Sequence, residues 1–164
     1  MKNDKLEQLK REFSNLVGLK LVKINRVINM VTLNFEDDLY EKELSVHIQC
    51  PCRFIMENKI YIGSGDMYIP SSKYNSNYTD FEWDKAGNNL FDENASYFVN
   101  KVAPIIAQKI EINSFGDVKI QFTEEIYLEI FVNNSNNEEQ WRFFTKSSNS
   151  AHIIVTPLDF EYEL

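Results

Sequence analysis

Apolar and polar residues alternate with a period of two in several short runs, and this alternation constrains the fold more than any other feature. The apolar members of these runs are Val31, Leu33 and Phe35; Leu44, Val46 and Ile48; Val118, Ile120 and Phe122; and Ile126, Leu128 and Ile130. Successive side chains of a strand point to opposite faces of a sheet, so each run predicts a β-strand with one face against a core. Because short connections favour antiparallel neighbours, we expect the second half of the chain to form one continuous sheet.

Two segments show helical spacing instead. Leu6, Leu9 and Phe13 recur at intervals of three and four residues, which predicts an amphipathic helix near the N-terminus. A second helix is expected to begin near Asp92 and to end before Pro104. The chain is therefore predicted to belong to the α+β class, with a largely antiparallel sheet of about eight or nine strands, an N-terminal helix and one central helix.

Length and composition favour one globular domain over residues 1–164. The chain has 164 residues, of which 43% are hydrophobic, enough for one sizeable core. No apolar run approaches the length that spans a bilayer, and the first 18 residues are too charged for a signal peptide. Cys50 and Cys52 are separated by one residue, which makes a disulfide between them sterically awkward. We expect a cytoplasmic protein with reduced thiols and no membrane association.

The negative charge is concentrated in the later part of the chain. Residues 1–60 carry ten Lys and Arg against nine Asp and Glu, whereas residues 61–164 carry seven against sixteen. The whole chain has a formal net charge of −8. A surface of this sign repels phosphate backbones, so we expect no nucleic-acid partner, and it attracts basic proteins. The same charge would also serve solubility alone.

Residues 70–90 form the longest irregular stretch. Asp80, Glu82 and Asp84 alternate there with aromatic residues that include Trp83, and a plain tether would have no use for so much apolar area. The acidic residues lack the glycine and the distal glutamate of a calcium-binding EF-hand loop. An aromatic residue among carboxylates suits the binding of a basic protein, so these four residues are candidate binding residues.

A second candidate site comprises five polar residues. His47, Gln49 and Arg53 lie on or just after one predicted strand, and a hairpin is expected to bring Asp66 back beside them. Arg142 is a further candidate neighbour. These residues could line a pocket for a small molecule, or they could form a hydrogen-bonded network that stabilises this corner of the sheet.

Residue types that bind metals or act as nucleophiles occur without a supporting pattern. His47 and the two cysteines, Cys50 and Cys52, fall on opposite faces of a strand, so with the distant His152 they do not predict a metal site. No helix begins after either thiol to activate it as a nucleophile. The run of residues 63–66, Gly-Ser-Gly-Asp, lacks the lysine and the helix of a phosphate-binding loop. We expect no cofactor and no metal.

Three short motifs carry a resemblance. They are HIQCPxR at residues 47–53, GSxDM at residues 63–67 and WRF at residues 141–143. On these motifs the chain resembles a family of uncharacterised bacterial proteins of similar length, and the likeness runs nearly end to end. The resemblance implies a bacterial origin and a shared fold, and it supplies no catalytic residues.

Together these observations favour a non-enzymatic bacterial protein-binding module over an enzyme. Its most concrete form is an immunity-type or antitoxin-like inhibitor that presents an acidic face to a basic partner. The alternative is a small-molecule-binding protein or an unrecognised enzyme, with a polar pocket around His47, Gln49, Arg53 and Asp66.

Overall fold

The structure, a computed structural model, describes residues 3–37, 43–74, 80–102, 104–146 and 150–163. Two α-helices lie in these ranges, α1 (Asn3–Phe13) and α2 (Leu90–Lys101). The strands are β1 (Lys20–Val27), β2 (Met30–Glu36), β3 (Glu43–Ile48), β4 (Cys52–Met56), β5 (Lys59–Gly63), β6 (Ala107–Ile112), β7 (Val118–Phe122), β8 (Tyr127–Ile130), β9 (Trp141–Thr145), β10 (His152–Val155) and β11 (Phe160–Glu163). The predicted α+β class, with an N-terminal and a central helix, is confirmed.

The strands form two antiparallel sheets. The six-stranded sheet has the order β1-β2-β3-β9-β10-β11, and the five-stranded sheet has the order β5-β4-β8-β7-β6. The described residues therefore contain eleven strands where we predicted about eight or nine. Residues 160–163 show no clear alternation in sequence, and they form the edge strand β11.

The expectation of one continuous sheet in the second half of the chain is wrong. Strands β6, β7 and β8 form a meander in one sheet, but β9 pairs with β3 in the other sheet. Residues 131–140 connect β8 to β9 and are long enough for the chain to change sheets. Strands that follow each other in sequence tend to pair when a short turn joins them, and the ten-residue connection between β8 and β9 is too long for that preference to apply.

The chain also changes sheets between β3 and β4, and one residue joins the two crossing points. The backbone carbonyl of Gln140 accepts hydrogen bonds from the backbone N–H groups of Gln49, at 2.8 Å, and Cys50, at 3.2 Å. Nearby, the N–H group of Phe131 donates to the carbonyl of Pro51 at 2.9 Å. The bonds to Gln140 continue the β3–β9 pairing and the bond to Pro51 continues the β4–β8 pairing, so the two connections run side by side with their backbone groups paired.

The inner faces of the sheets share one hydrophobic cluster. Phe122 of the five-stranded sheet stacks on Phe35 of the six-stranded sheet with ring centroids 6.4 Å apart. Helix α1 inserts Phe13 against Trp141 at 5.1 Å, and α2 inserts Phe98 against Phe54 at 5.5 Å. Both helices are therefore amphipathic elements that cover apolar surface left by the sheets. No helix in the described ranges is long and apolar enough to cross a membrane.

Candidate binding surface

Arg26 positions the irregular segment that follows β5. Its side chain is only 4% exposed, and all five of its N–H groups donate hydrogen bonds. Nε and Nη2 bind the two carboxylate oxygens of Asp92, at 2.8 and 2.9 Å. The remaining donors bind the backbone carbonyls of Ile28 (2.8 Å), Asp84 (3.3 Å) and Lys85 (3.1 Å). One buried guanidinium thus joins the β1–β2 turn, the irregular segment and the first turn of α2.

Two asparagines and Asp92 fix the segment further. The Asn89 side chain caps α2 by accepting from the N–H group of Asp92 at 2.9 Å, and it donates to the carbonyl of Trp83 at 2.8 Å. The Asn88 side chain donates to the carbonyl of Glu82 at 3.2 Å, and Asp92 accepts from the N–H group of Gly87 at 2.7 Å. These bonds hold residues 82–89 of the 70–90 stretch against α2. Residues 75–79 lie outside the described ranges.

The segment presents an aromatic pair beside its carboxylates. Trp83 is half-buried and packs on Tyr68, with ring centroids 5.0 Å apart, and Tyr68 remains 57% exposed. Asp80, Glu82 and Asp84 are exposed. Glu82 makes a solvent-exposed ion pair with Lys85 at 3.5 Å, and among the described residues no basic side chain pairs with Asp80 or Asp84.

We call Tyr68, Asp80, Glu82, Trp83 and Asp84 the aromatic–acidic surface. Tyr68 was missed from sequence because the chain around it, Met-Tyr-Ile-Pro, reads as extended. It lies instead in the 3₁₀ turn Ser64–Tyr68, which brings its ring to Trp83. The surface thus combines exposed aromatic area with three carboxylates, two of which pair with no basic side chain among the described residues.

The structure brings three of the predicted polar residues together on the outer face of the six-stranded sheet. His47 on β3 is the cross-strand neighbour of Arg142 on β9. Arg142 donates from Nε to Glu139 at 2.6 Å and from Nη1 to Glu163 at 3.0 Å, and a second bond joins Nη2 to Glu139. Its Nη1 also lies 3.2 Å from Nδ1 of His152. Glu139 and His152 were not predicted here, because nothing in the spacing shows which strand neighbours β9.

An aromatic stack completes this group, the outer-face cluster, which comprises His47, Gln49, Glu139, Arg142, Phe144 and His152. The Phe144 ring lies parallel to the His152 ring at 4.0 Å and perpendicular to the His47 ring at 4.9 Å. In this cluster the Arg142 cation pairs with carboxylates, and the Phe144 ring packs on the two histidine rings. This is the pattern of a structural network, which was one of our two interpretations of these residues.

Electrostatics within the cluster follow from this packing. Burial lowers the pKa of His47, and the positive charge of Arg142 lowers it further. Burial acts to raise the pKa of Glu139, but hydrogen bonds from Arg142 and Gln49, with the charge of Arg142, outweigh it and hold the pKa below its usual value. A neutral His47 therefore sits beside an ionised Glu139 at neutral pH.

The other two polar candidates lie elsewhere, which corrects the predicted four-residue pocket. Arg53 is on β4 of the five-stranded sheet, where its guanidinium binds Glu129 at 2.7 Å and lies over the Phe131 ring at 5.0 Å. Asp66 accepts from the backbone N–H group of Gly63 at 2.9 Å and so closes the 3₁₀ turn. Gln49 and the neighbours of Asp66 line one depression, but no hydrogen bond or ion pair among the described residues joins His47 or Gln49 to Arg53 or Asp66.

Both cysteines are buried thiols. Burial raises the pKa of Cys50 to about 12 and raises that of Cys52 as well, so neither is a thiolate at neutral pH. In the described ranges, no three His, Cys, Asp or Glu side chains are grouped so as to hold a metal ion.

A shallow depression connects the two groups of candidate residues. It has a volume of about 380 Å³, with Gln49 of the outer-face cluster on one side and Tyr68 of the aromatic–acidic surface on another. Asn29, from the β1–β2 turn, also lines it. The two candidate regions are thus neighbours, although sequence alone placed them far apart.

Comparison of the chain with family models found no match, and searches of curated proteins and of solved structures found none either.

Proposed function

We propose that the protein is a non-enzymatic binding module that engages a basic protein through the aromatic–acidic surface. The observation that carries the proposal is the exposed Tyr68–Trp83 pair, which is held on a fixed segment beside the carboxylates of Asp80 and Asp84. Carboxylates that form no ion pair among the described residues attract a cationic partner over long range, and an aromatic pair supplies contact area at low entropic cost.

Preorganisation supports this reading. A surface loop that must become ordered on binding loses affinity, whereas one already fixed by its own protein does not. Arg26 and Asn89 fix the backbone at Trp83, Asp84 and Lys85 through buried or half-buried hydrogen bonds. The buried Arg26–Asp92 ion pair thus fixes the backbone of a segment that exposes Asp80, Glu82 and Asp84 to solvent.

The buried thiols and the paired charges of the outer-face cluster give no support to a nucleophilic enzyme. In its sharpest form the proposal is an immunity-type or antitoxin-like inhibitor from a bacterium, which would neutralise a basic toxin by covering its functional surface. A small acidic domain with rigid aromatic contacts has the properties that such an inhibitor needs. A gene for a toxin or a secretion component beside this one would support that form, and a metabolic operon would count against it.

A capture experiment with matched variants tests the proposal. The immobilised wild-type protein, the triple variant D80N/E82Q/D84N and the control triple variant E57Q/E124Q/E125Q are each exposed to lysate of the source organism. Both triple variants lose the same charge, and the control positions are exposed residues in other turns. We expect a basic protein bound by the wild type and the control but not by D80N/E82Q/D84N. Binding should also weaken when ionic strength rises from about 0.01 M to about 0.15 M.

Recovery of no basic protein by the wild type would refute the proposal. Equal recovery by the two triple variants would refute the assignment of the surface, since general acidity would then be sufficient.

A further inference from the structure

The β1–β2 hairpin turn holds an isoleucine in a backbone conformation that isoleucine disfavours. The loop has two residues, Ile28 and Asn29, between the paired residues Val27 and Met30. Ile28 has φ of +56°, in the left-handed region. Tight hairpin turns require this conformation at the first loop residue, and Gly, Asn or Asp usually supply it. A branched β-carbon makes Ile one of the costliest residues there.

Folding recovers little of this cost through the side chain. Ile28 is 61% exposed and its neighbour Val27 is 58% exposed, so two apolar side chains project into solvent at the tip of the hairpin. Asn29, a residue that tolerates the left-handed region, occupies the second loop position instead of the first. Strained residues that the rest of the structure keeps in place are concentrated at binding sites.

The hairpin tip borders the aromatic–acidic surface. Nη1 of Arg26 donates both to the carbonyl of Ile28 and to that of Asp84, so these two residues meet on one nitrogen atom. Ile28 and Asp84 also line the same groove, of about 430 Å³, between β1 and α2. On the other side, Asn29 and Tyr68 line the depression described above.

We infer that Ile28 adds an aliphatic contact to the aromatic–acidic surface, and that the strained turn serves to present this side chain to the partner. The inference rests on the proposed function. Ile28 and Asp84 line one groove, whose far part includes the exposed Lys23, and we assign to the Ile28–Asp84 part a lysine or arginine side chain of the partner, whose methylene stem packs on Ile28 while its cation reaches Asp84. The partner is thus a basic protein that inserts a long cationic side chain at the groove beside the hairpin.

Substitution of Ile28 by asparagine should change thermal stability and partner binding in opposite directions. In I28N the turn gains a residue suited to positive φ, and we expect the melting temperature to rise by about 2–4 °C. Binding of the basic protein captured by the wild type should weaken by at least about tenfold, because an apolar contact is lost. The measurements are thermal melting by circular dichroism and titration calorimetry with that purified protein.

The β4–β5 hairpin provides a matched control. Its two-residue loop, Glu57 and Asn58, also has positive φ at the first residue, +53°, but lies at the opposite end of β5 from Tyr68. E57N should therefore keep or raise the melting temperature and leave the dissociation constant within about twofold of the wild type. In a double-mutant cycle, I28N/D84N should lose less than the product of the two single losses, since one partner side chain contacts both residues.

The outcomes distinguish the inference from the proposed function. If the wild type captures no basic protein, both fail. If it captures one, and I28N binds that protein as tightly as E57N does, the inference is overturned while the proposed function stands. A fall in the melting temperature of I28N would also overturn it, because the turn would then not be strained by isoleucine. Multiplicative losses in the cycle would refute the shared cationic side chain.

Discussion

Replacing Arg26 with methionine should destabilise the protein more than any single surface substitution. The variant R26M keeps much of the apolar stem but removes five hydrogen bonds. It leaves the carboxylate of Asp92, only 14% exposed, without its cation, and the carbonyls of Ile28 and Asp84 without the guanidinium donor, whereas the carbonyl of Lys85 keeps a bond from the N–H group of Asn88. Breaking a buried ion pair by removing one partner costs about 3–5 kcal/mol.

That cost is a large fraction of the total stability of a domain this size. Since a natural domain is stable by about 5–15 kcal/mol, R26M should unfold at clearly lower urea concentration. For a chain of this length each kcal/mol lowers the melting temperature by about 2–4 °C, so the loss should be about 6–20 °C. Urea titration and thermal melting followed by circular dichroism would measure both quantities.

The control is a second arginine whose ion pair is more exposed. Arg53 pairs with Glu129, but its side chain is 40% exposed and Glu129 has a second cation, Lys119 at 3.6 Å, so R53M should cost no more than about 1 kcal/mol. Adding D92N to R26M removes the uncompensated charge, and the double variant should regain at least about 1 kcal/mol over R26M. A loss in R26M no larger than that in R53M would refute our account of how the segment is held. A double variant less stable than R26M would show that lost packing, and not buried charge, sets the cost.

Two further predictions concern the outer-face cluster and the core. The folded protein holds the pKa of His47 below its ordinary value of about 6.5, so protonation favours the unfolded state; stability should be full above about pH 6.5 and decline as the pH falls below it. H47Q should show a smaller decline between about pH 7.5 and pH 5.5 in urea titrations, and an unchanged decline would contradict this cause. Gly116 has φ of +92°, and an added Cβ would lie 3.2 and 3.3 Å from two valine side chains. G116A should therefore cost about 1–3 kcal/mol, and more than G18A, where φ is +88° but no atom lies within 4 Å; equal losses would show that the close contact is harmless.

The faces of the strands could be predicted from sequence, whereas their partners could not. Alternation identified the buried sides of β2, β3, β7 and β8, because period two reports directly on the two faces of a sheet. Alternation says nothing about which strand lies alongside, so the pairing of β3 with β9 was out of reach. In β1 the period is interrupted by a bulge between Leu21 and Lys23, which hid the inward position of Arg26.

Candidate residues could be identified from sequence where their contacts lie within one short segment, and not where their partners are distant along the chain. Trp83 and its neighbouring carboxylates could be proposed from sequence because aromatic and acidic residues within one irregular segment are visible there, and the structure places Trp83 on Tyr68. Arg26 was missed because its carboxylate partner, Asp92, is 66 positions away. Arg53 was grouped with His47 by proximity along the chain and Asp66 by an expected hairpin; in the structure Arg53 pairs with Glu129 and Asp66 closes its own turn.

The most direct test of the proposed function is site-specific photocrosslinking in cells of the source organism. A benzophenone amino acid replaces Trp83 in one variant and Tyr162 in another; Tyr162 is an exposed aromatic residue on β11, at the opposite edge of the six-stranded sheet from β1. We predict that irradiation links the protein at position 83, but not at position 162, to a basic protein. We also predict that D80N/E82Q/D84N in the same chain abolishes the adduct. No adduct at position 83, or the same adduct at both positions, would contradict a binding surface built around Trp83.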